Sequence, residues 1–474
     1  MRSHSFHKQH KYTLLRFKNS SSHSRMFKKV TQSVVNQMDS TRDLVPVHSI
    51  LDHEHFRPLC LVKPKKKKIW KLSPGYTQTW YTLDDVLLPG EDNRSTESLF
   101  PKGDDQDSRQ FTVKKRVSDT VDGSVSLHVE SASVALKGVA SLSREWSIKL
   151  QKNHIPIPKL EALKTERKMN ANHSFIQQLQ KKQQRLYMVH ETVETSEETI
   201  YEESIKAEGS LKTQFHAKFF AKGTRENRQG ITIPKGCTLA FRAIELTITD
   251  GSWDLQYFPE SSRTLVCDGS SQGKLDRLEA EVKDTCQIFS KLSSDLFVVF
   301  LKAIKAVMRD RNLFEELTHK MEAVLDETGS CELKTESPDL KDLLSSLQNS
   351  SRHLLLKLAE AITYTLDALD ELMEDQLLML LESLEEKIVS QQLKLVKSIL
   401  EHDDIEHSEG HFHVDASLLS FSQEREQKLT IAMVEMSGVK LQKDGSAVCT
   451  KAAFSAVAAL YVSLYVLNLL SNSD

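Results

Sequence analysis
At 474 residues, 39% apolar and 27% charged, the chain has the length for two to four domains and the ordinary composition of a soluble globular protein. Its cysteines (Cys60, Cys237, Cys267, Cys286, Cys331, Cys449) are too scattered for a zinc set or a CxxC pair and too few for a disulfide scaffold, so they read as reduced thiols of a cytosolic protein. The net charge of −3 conceals opposed halves: before Arg263, 41 Lys+Arg stand against 30 Asp+Glu (+11), and from Arg263 onward 22 stand against 36 (−14). Such opposition favours docking of the halves and would leave the first attracted to anionic surfaces once the second is removed, although unlike domains also differ in charge by chance.

In chain order, residues 1–25 hold six basic and no acidic residues and are expected to be a disordered extension; the composition also suits a mitochondrial presequence, but no apolar stretch suits a secretory signal. Phe27 to Met38 reads as a short amphipathic helix, with Phe27, Val30, Val34, Val35 and Met38 apolar and Lys28 and Lys29 at its start. An apolar strand, Leu59 to Val62, then leads into Lys63, Pro64 and the lysines Lys65, Lys66, Lys67 and Lys68, set directly beside Ile69 and Trp70. Three readings of that run stay open. It is a solvated loop, a nuclear-import or nucleic-acid motif, or an anionic-membrane anchor in which each lysine contributes about 1 kcal/mol and the indole sits at headgroup depth.

Period-2 patterning follows. From Phe111 to Val129 most odd positions are apolar; after a turn at Glu130 to Ser133 the register flips, and Val134, Leu136, Ala140, Leu142, Trp146, Ile148 and Leu150 share a face. These predict one long antiparallel hairpin. A second is predicted from Leu186 to Thr195, an acidic tip around Glu197 to Glu203, and a return arm from Ile205 to Phe219. The longer arms keep their alternation for roughly three times an ordinary strand length and would exceed ~50 Å. A bilayer-crossing strand needs only about 9 to 11 residues with the same alternation, while a twisted soluble sheet with bulges explains the pattern equally.

Beyond a Ser/Gly-rich link near 262–274 the chain turns helical, with three- and four-residue apolar spacing over Leu275–Met308, Leu340–Leu347, Arg352–Leu372, Asp375–Glu401 and Lys451–Leu470. Ala452 to Leu470 is about long enough to span a bilayer, but its Ala-rich half and Ser455, Ser463 and Asn468 favour a buried terminal helix over a tail anchor. Within the link, Leu265-Val266-Cys267-Asp268-Gly269 presents apolar residues before an aspartate and a small residue after it, suiting a caspase cut between Asp268 and Gly269. Asp250 and Asp254 suit one less, lying beside patterned or aromatic sequence. No GxSxG, Walker A, HExxH or paired-cysteine motif is present, and His411 with His413 reads as a solvated loop, so no enzyme, metal or cofactor is expected.

Four runs carry a resemblance: Asp52 to Val62 (DHEHFRPLCLV), Leu163 to Phe175 (LKTERKMNANHSF), Ile231 to Phe241 (ITIPKGCTLAF) and Leu381 to Glu401 (LESLEEKIVSQQLKLVKSILE). They closely resemble gasdermins, from Met26 to the C-terminus. The resemblance implies an α+β protein: a pore-forming domain at 26–258 with a twisted antiparallel sheet and flanking helices, a protease-sensitive linker at 259–274, and an all-α autoinhibitory domain at 275–474. It further implies a cytoplasmic full-length protein that linker proteolysis converts into a homo-oligomeric β-barrel in the inner leaflet of the plasma membrane, lysing the cell; that an inflammatory caspase-1-like enzyme makes the cut is read from the Leu265–Gly269 run and departs from the pattern of the most similar members. Lys28, Lys29, Lys65, Lys66, Lys67, Lys68, Lys164, Arg167 and Lys168 resemble the family's acidic-phospholipid contacts, and Ile69 and Trp70 its membrane-inserting tip. Tyr364 and Ala368 resemble the positions where the C-terminal domain covers that tip. The alternative is a non-enzymatic adaptor or nucleic-acid-binding module using the lysines of 63–68; under the gasdermin reading no nucleic-acid partner is expected.

Overall fold
The structure, a computed structural model, describes residues 21–39, 43–66, 68–71, 75–90, 110–115, 127–131, 146–203, 229–249, 251–257, 271–325, 333–406, 410–449 and 453–471. Lys67, Asp268 and Gly269 lie outside the described residues, as do the segment 132–145 and the return arm Ile205 to Phe219. The chain divides into two compact units, and of the described residues Lys68–Lys71 belong with the second.

The first unit is built on a mainly antiparallel sheet. Helix α1 (Ser21–Met38) is followed by strands β1 (Val45–Pro46), β2 (Cys60–Pro64), β3 (Tyr76–Thr82), β4 (Gln110–Lys115), β5 (Leu127–Ser131) and β6 (Trp146–His154). Helices α2 (Ile157–Glu166) and α3 (Ser174–Lys181) lead into β7 (Leu186–Thr195), β8 (Thr199–Glu203), β9 (Gln229–Ile233), β10 (Thr238–Thr249) and β11 (Ser252–Gln256). The main sheet runs β1-β10-β7-β6-β4-β5, with β11 on β10, β2 on β7 and β3 on β2; β8 and β9 pair separately. Alternation assigns its two faces. On β7, Val189 and Val193 pack with Phe27, Val30 and Val34 of α1, whereas Leu186 and Met188 pack with Leu160 and Leu163 of α2 and Ile176 and Leu179 of α3. Both faces are therefore covered by helices.

Three sequence expectations change. Helix α1 begins at Ser21 rather than Phe27, so 21–25 belong to it and not to a disordered extension. The arm Phe111 to Val129 is not one strand: β4 and β5 pair antiparallel, with Val113 opposite Val129 and Phe111 opposite Ser131. Directly paired residues share a face, so odd positions opposite odd positions keep the period-2 pattern in phase around the turn, and pattern cannot distinguish the hairpin from one long strand. The acidic tip around Glu197 to Glu203 is largely strand β8, paired with β9. The arm Leu186 to Thr195 coincides with β7.

The second unit contains α4 (Ser271–Cys286), α5 (Ser294–Arg309), α6 (Arg311–Leu325), α7 (Pro338–Gln348), α8 (Arg352–Asp370), α9 (Glu374–Glu385), α10 (Val389–Leu400), α11 (Glu424–Met436) and α12 (Phe454–Ser471). A small sheet joins His411–His413, Ser446–Cys449 and Val439–Leu441. Spacing alone runs α9 and α10 together, because no Gly or Pro separates them. The break falls at Lys387, which adopts φ 56°, while Ile388 N–H donates back to the Ser383 carbonyl, a left-handed cap that a non-glycine residue makes here. Helix α12 is long and apolar enough to cross a membrane by length and composition, yet two-thirds of it is buried (67%) within the unit, the terminal-helix alternative.

Phe241 is 1% exposed, stacks on Phe56 with ring centroids 4.6 Å apart and meets Tyr76 edge-on. Phe241→Ala is expected to destabilise the sheet unit by about 3–5 kcal/mol, read as a lowered urea midpoint at unchanged m-value.

Candidate functional site
Helix α8 brings Tyr364, Asp367, Ala368 and Glu371 onto one stripe, because positions i, i+3, i+4 and i+7 share a helical face. Tyr364 and Ala368 are buried and make its apolar floor. Asp367, Asp370 and Glu371 place three carboxylates at the C-terminal end, where the last turn has no basic residue. Carbonyl dipoles already make that end negative, so each acid there is unfavourable by about 0.3–1 kcal/mol unless a cation meets it.

The cations arrive from two places. Arg311 of α6 binds Asp370 at 2.6 Å and Glu315 at 3.2 Å. Lys68 and Lys71, in a tight turn closed by the Lys71 N–H on the Lys68 carbonyl, both reach Asp367; Lys68 donates to Oδ2, Lys71 stands 3.4 Å from Oδ1 and 3.9 Å from Glu371. Burial alone would depress Lys71, but Asp367, Glu371 and Asp370 outweigh it and hold its ammonium above the usual lysine value.

Between those lysines lies Trp70, fully buried at 0% exposure, meeting Tyr364 edge-on with centroids 4.6 Å apart and planes at 86°. Lys68 Nζ stands 4.9 Å from the Tyr364 ring and 5.7 Å from the Trp70 ring, within cation–π range. The Ser455 hydroxyl of α12 donates to the Trp70 carbonyl, and half-buried Ile69 packs against the same core. The indole N–H has no hydrogen-bond partner among the described residues. Burying an indole removes about 200 Å² from water, worth about 5 kcal/mol gross, and the orphan N–H subtracts about 1–3 kcal/mol. Burial, with Glu281 beside it, pushes the Tyr364 phenol well above the usual tyrosine value.

The remaining candidate cations lie in the first unit. On α1, Lys28 is packed down (8% exposed) and Lys29 is exposed. Lys65 and Lys66 are exposed after β2. On α2, Lys164 is held by Glu161 at 2.7 Å and Asp254 at 2.8 Å, which raise its ammonium, the Asp254 hydrogen bond first. Arg167 pairs with Asp84 and donates from Nε to the Leu88 carbonyl at 2.9 Å, while its own carbonyl accepts from Trp253 Nε1. Exposed Lys168 lines an open cleft of about 420 Å³ with Lys164, Thr247, Thr249, Ser252, Trp253 and Asp254.

The structure thus brings Lys68, Ile69, Trp70, Tyr364 and Ala368 together, and separately places Lys164 and Lys168 on one cleft with Arg167 beside them. Sequence reading missed Lys71, Asp367, Glu371 and Ser455. A last helical turn rich in acids and lacking a base was the available signal for two of them.

A raised lysine contributes stability fully below the ordinary value near 10.5 and loses it only as pH climbs through the raised one. At pH 8.5, acetic anhydride should therefore modify Lys71 about tenfold more slowly than exposed Lys168, measured by peptide mass spectrometry; equal rates would contradict the clamp.

Residues 26–265 match a family model described as the gasdermin pore forming domain, and residues 274–448 match the gasdermin PUB domain. Gasdermin-A of Mus musculus is 32% identical over 469 residues, covering 95% of this chain and 100% of the relative. Gasdermin-A of Homo sapiens is 31% identical over 438 residues, covering 89% and 93%. A cryo-EM structure of the gasdermin A3 membrane pore is 27% identical and aligns with a TM-score of 0.33 over 52% of this chain and 96% of that chain. With a matched model across half its length and relatives above 30% identity from end to end, the chain belongs to the gasdermin family.

Proposed function
We propose that this gasdermin is an autoinhibited pore former in which the turn Lys68–Lys71 is the switch. Burial of Trp70 on Tyr364, with its flanking lysines on the acidic end of α8, is the observation that carries the reading. An indole between cations is the composition that favours an anionic membrane interface, so keeping it inside a helical core withholds it from lipid. In this reading the full-length protein is cytoplasmic, and a caspase-1-like protease cuts after Asp268 within the 259–274 linker. The freed 26–258 domain binds acidic phospholipids of the inner leaflet through Lys28, Lys29, Lys65, Lys66, Lys67, Lys68, Lys164, Arg167 and Lys168, with Ile69 and Trp70 inserting.

Oligomerisation has a physical motive. An open sheet edge is not tolerated in lipid because its backbone groups would lack partners, so strands enter a bilayer when many copies close a barrel. The work is mechanical, with no catalytic step or cofactor assigned.

Residues 26–268 are expected to leak vesicles containing acidic lipid while the uncut chain does not; a silent fragment would refute the pore. Asp268→Ala should abolish the caspase-generated fragment on a gel, and persistent cutting at that position would reject the assignment. Tyr364→Asp should make the uncut chain toxic to cells, since a carboxylate buried on an apolar floor costs several kcal/mol and displaces Trp70.

A further inference from the structure
We propose that Arg242 is a positioning residue for pore formation: it ties the end of α1 to the root of strands β6 and β7, so that α1 seated on an acidic bilayer fixes where the strands entering that bilayer stand. The inference rests on the membrane reading above and names the relay inside the first unit through which binding becomes insertion.

The Arg242 guanidinium of β10 spans two carboxylates: Nη2 stands 3.2 Å from Asp39, the residue after α1, and Nη1 donates to Glu191 of β7 at 2.7 Å, while Lys152 of β6 meets the other Glu191 oxygen at 2.8 Å. One side chain thereby joins α1 to three neighbouring strands. Both carboxylates are enclosed, the Asp39 side chain 2% and the Glu191 side chain 10% exposed, so solvent is a poor substitute for the guanidinium. Asp39 also accepts the Leu44 N–H, closing the connection from α1 to β1. The sheet departs from its own register to make this contact. Thr238 opposite Glu194 and Ala243 opposite Val189 follow one count, but Ala240, Phe241 and Arg242 between them are displaced by one residue, with a register shift on either side. The undisplaced count would set Arg242 opposite His190 and Glu191 opposite Phe241, burying a carboxylate on an apolar face, since Phe241 is 1% exposed. Bulges re-aim side chains, and this pair of them aims Glu191 at Arg242. Location supplies the direction of the effect: the β6–β7 pairing runs from His154 opposite Glu191 to Leu150 opposite Thr195, and the bridge sits at the first of these ends, away from the end where β7 runs on toward β8. Apolar packing presses α1 on the sheet but is non-directional; the charged bridge fixes the place of its end.

The test uses the full-length chain with a site-specific protease sequence replacing residues 262–270, cut in the presence of phosphatidylserine-rich vesicles and read by co-sedimentation, dye leakage per bound molecule, thermal melting and hydrogen exchange over 44–47 and 191–195. Asp39→Asn, Arg242→Lys and the triple variant Asp39→Asn/Glu191→Gln/Arg242→Met are compared with Glu197→Gln, which breaks the exposed Lys149 pair of the same sheet. The triple variant removes the bridge without stranding a buried carboxylate, so it should sediment as wild type does while leaking about tenfold more slowly per bound molecule and exchanging faster in both segments. Asp39→Asn alone should slow leakage as much as the triple, because a single bridge is lost once. Arg242→Lys keeps the charge, but one ammonium does not serve both carboxylates, so it should also be slow. Glu197→Gln should match wild type.

The proposal is overturned if the triple variant leaks at the wild-type rate, if sedimentation falls in step with leakage, if the losses of Asp39→Asn and Arg242→Lys add in the triple as independent structural damage would, or if Glu197→Gln slows leakage equally. Should the triple melt well below wild type, Arg242→Lys decides in its place, and wild-type leakage by that variant is equally fatal. Leakage by the cut wild-type chain is scored separately: silence there sinks the pore reading, while unchanged exchange over 44–47 and 191–195 in the vesicle-bound variants sinks the relay on its own.

Discussion
A helix that ends in Asp367, Asp370 and Glu371 without a lysine or arginine in its last turn works against its own dipole, and cations from two other segments answer that conflict. Arg311 is brought in from α6, and Lys68 and Lys71 are brought in from a turn that in sequence belongs beside β2. Because the acids and the floor residues Tyr364 and Ala368 lie on one stripe, meeting the charges also positions Trp70. Satisfying the acidic end and burying the indole are one event.

The same logic recurs at the candidate cations of the first unit. Lys164 lies between Glu161 and Asp254, Arg167 is tied to Asp84, and Lys28 is packed beneath the surface of α1. For an anionic surface to engage these groups it must displace internal carboxylates. The Lys164 pairs are part-exposed on both sides and individually weak, typically about 0–1 kcal/mol, so their displacement is accessible, whereas the Arg167 side chain is only 10% exposed. The turn at Lys68–Lys71 differs because its pairs are largely enclosed and coupled to an aromatic anchor, which makes it the stronger hold.

That hold is nonetheless imperfect. Trp70 buries its whole ring yet finds no partner for its N–H among the described residues, and two ammonium groups share Asp367. Cores selected for stability alone rarely retain such a defect; under the proposed function it lowers the cost of release.

Some of this was legible before folding. Periodicities separated a sheet-rich first half from a helical second, the charge count set the halves in opposition, and the runs at Asp52–Val62 and Leu381–Glu401 pointed to the family, since helical spacing, net charge and short motifs are properties of the chain itself. Alternation could not say that Phe111–Val129 folds back on itself, because paired odd positions preserve the phase, nor that α9 stops at Lys387, whose left-handed backbone is imposed by packing rather than by a glycine. Nor could Lys71 and Asp367 be matched from sequence. They are nearly three hundred residues apart, and no local rule links a lysine after a strand to an acid at the end of a distant helix; burying Trp70 on Tyr364 is what carries the lysine beside it to those acids.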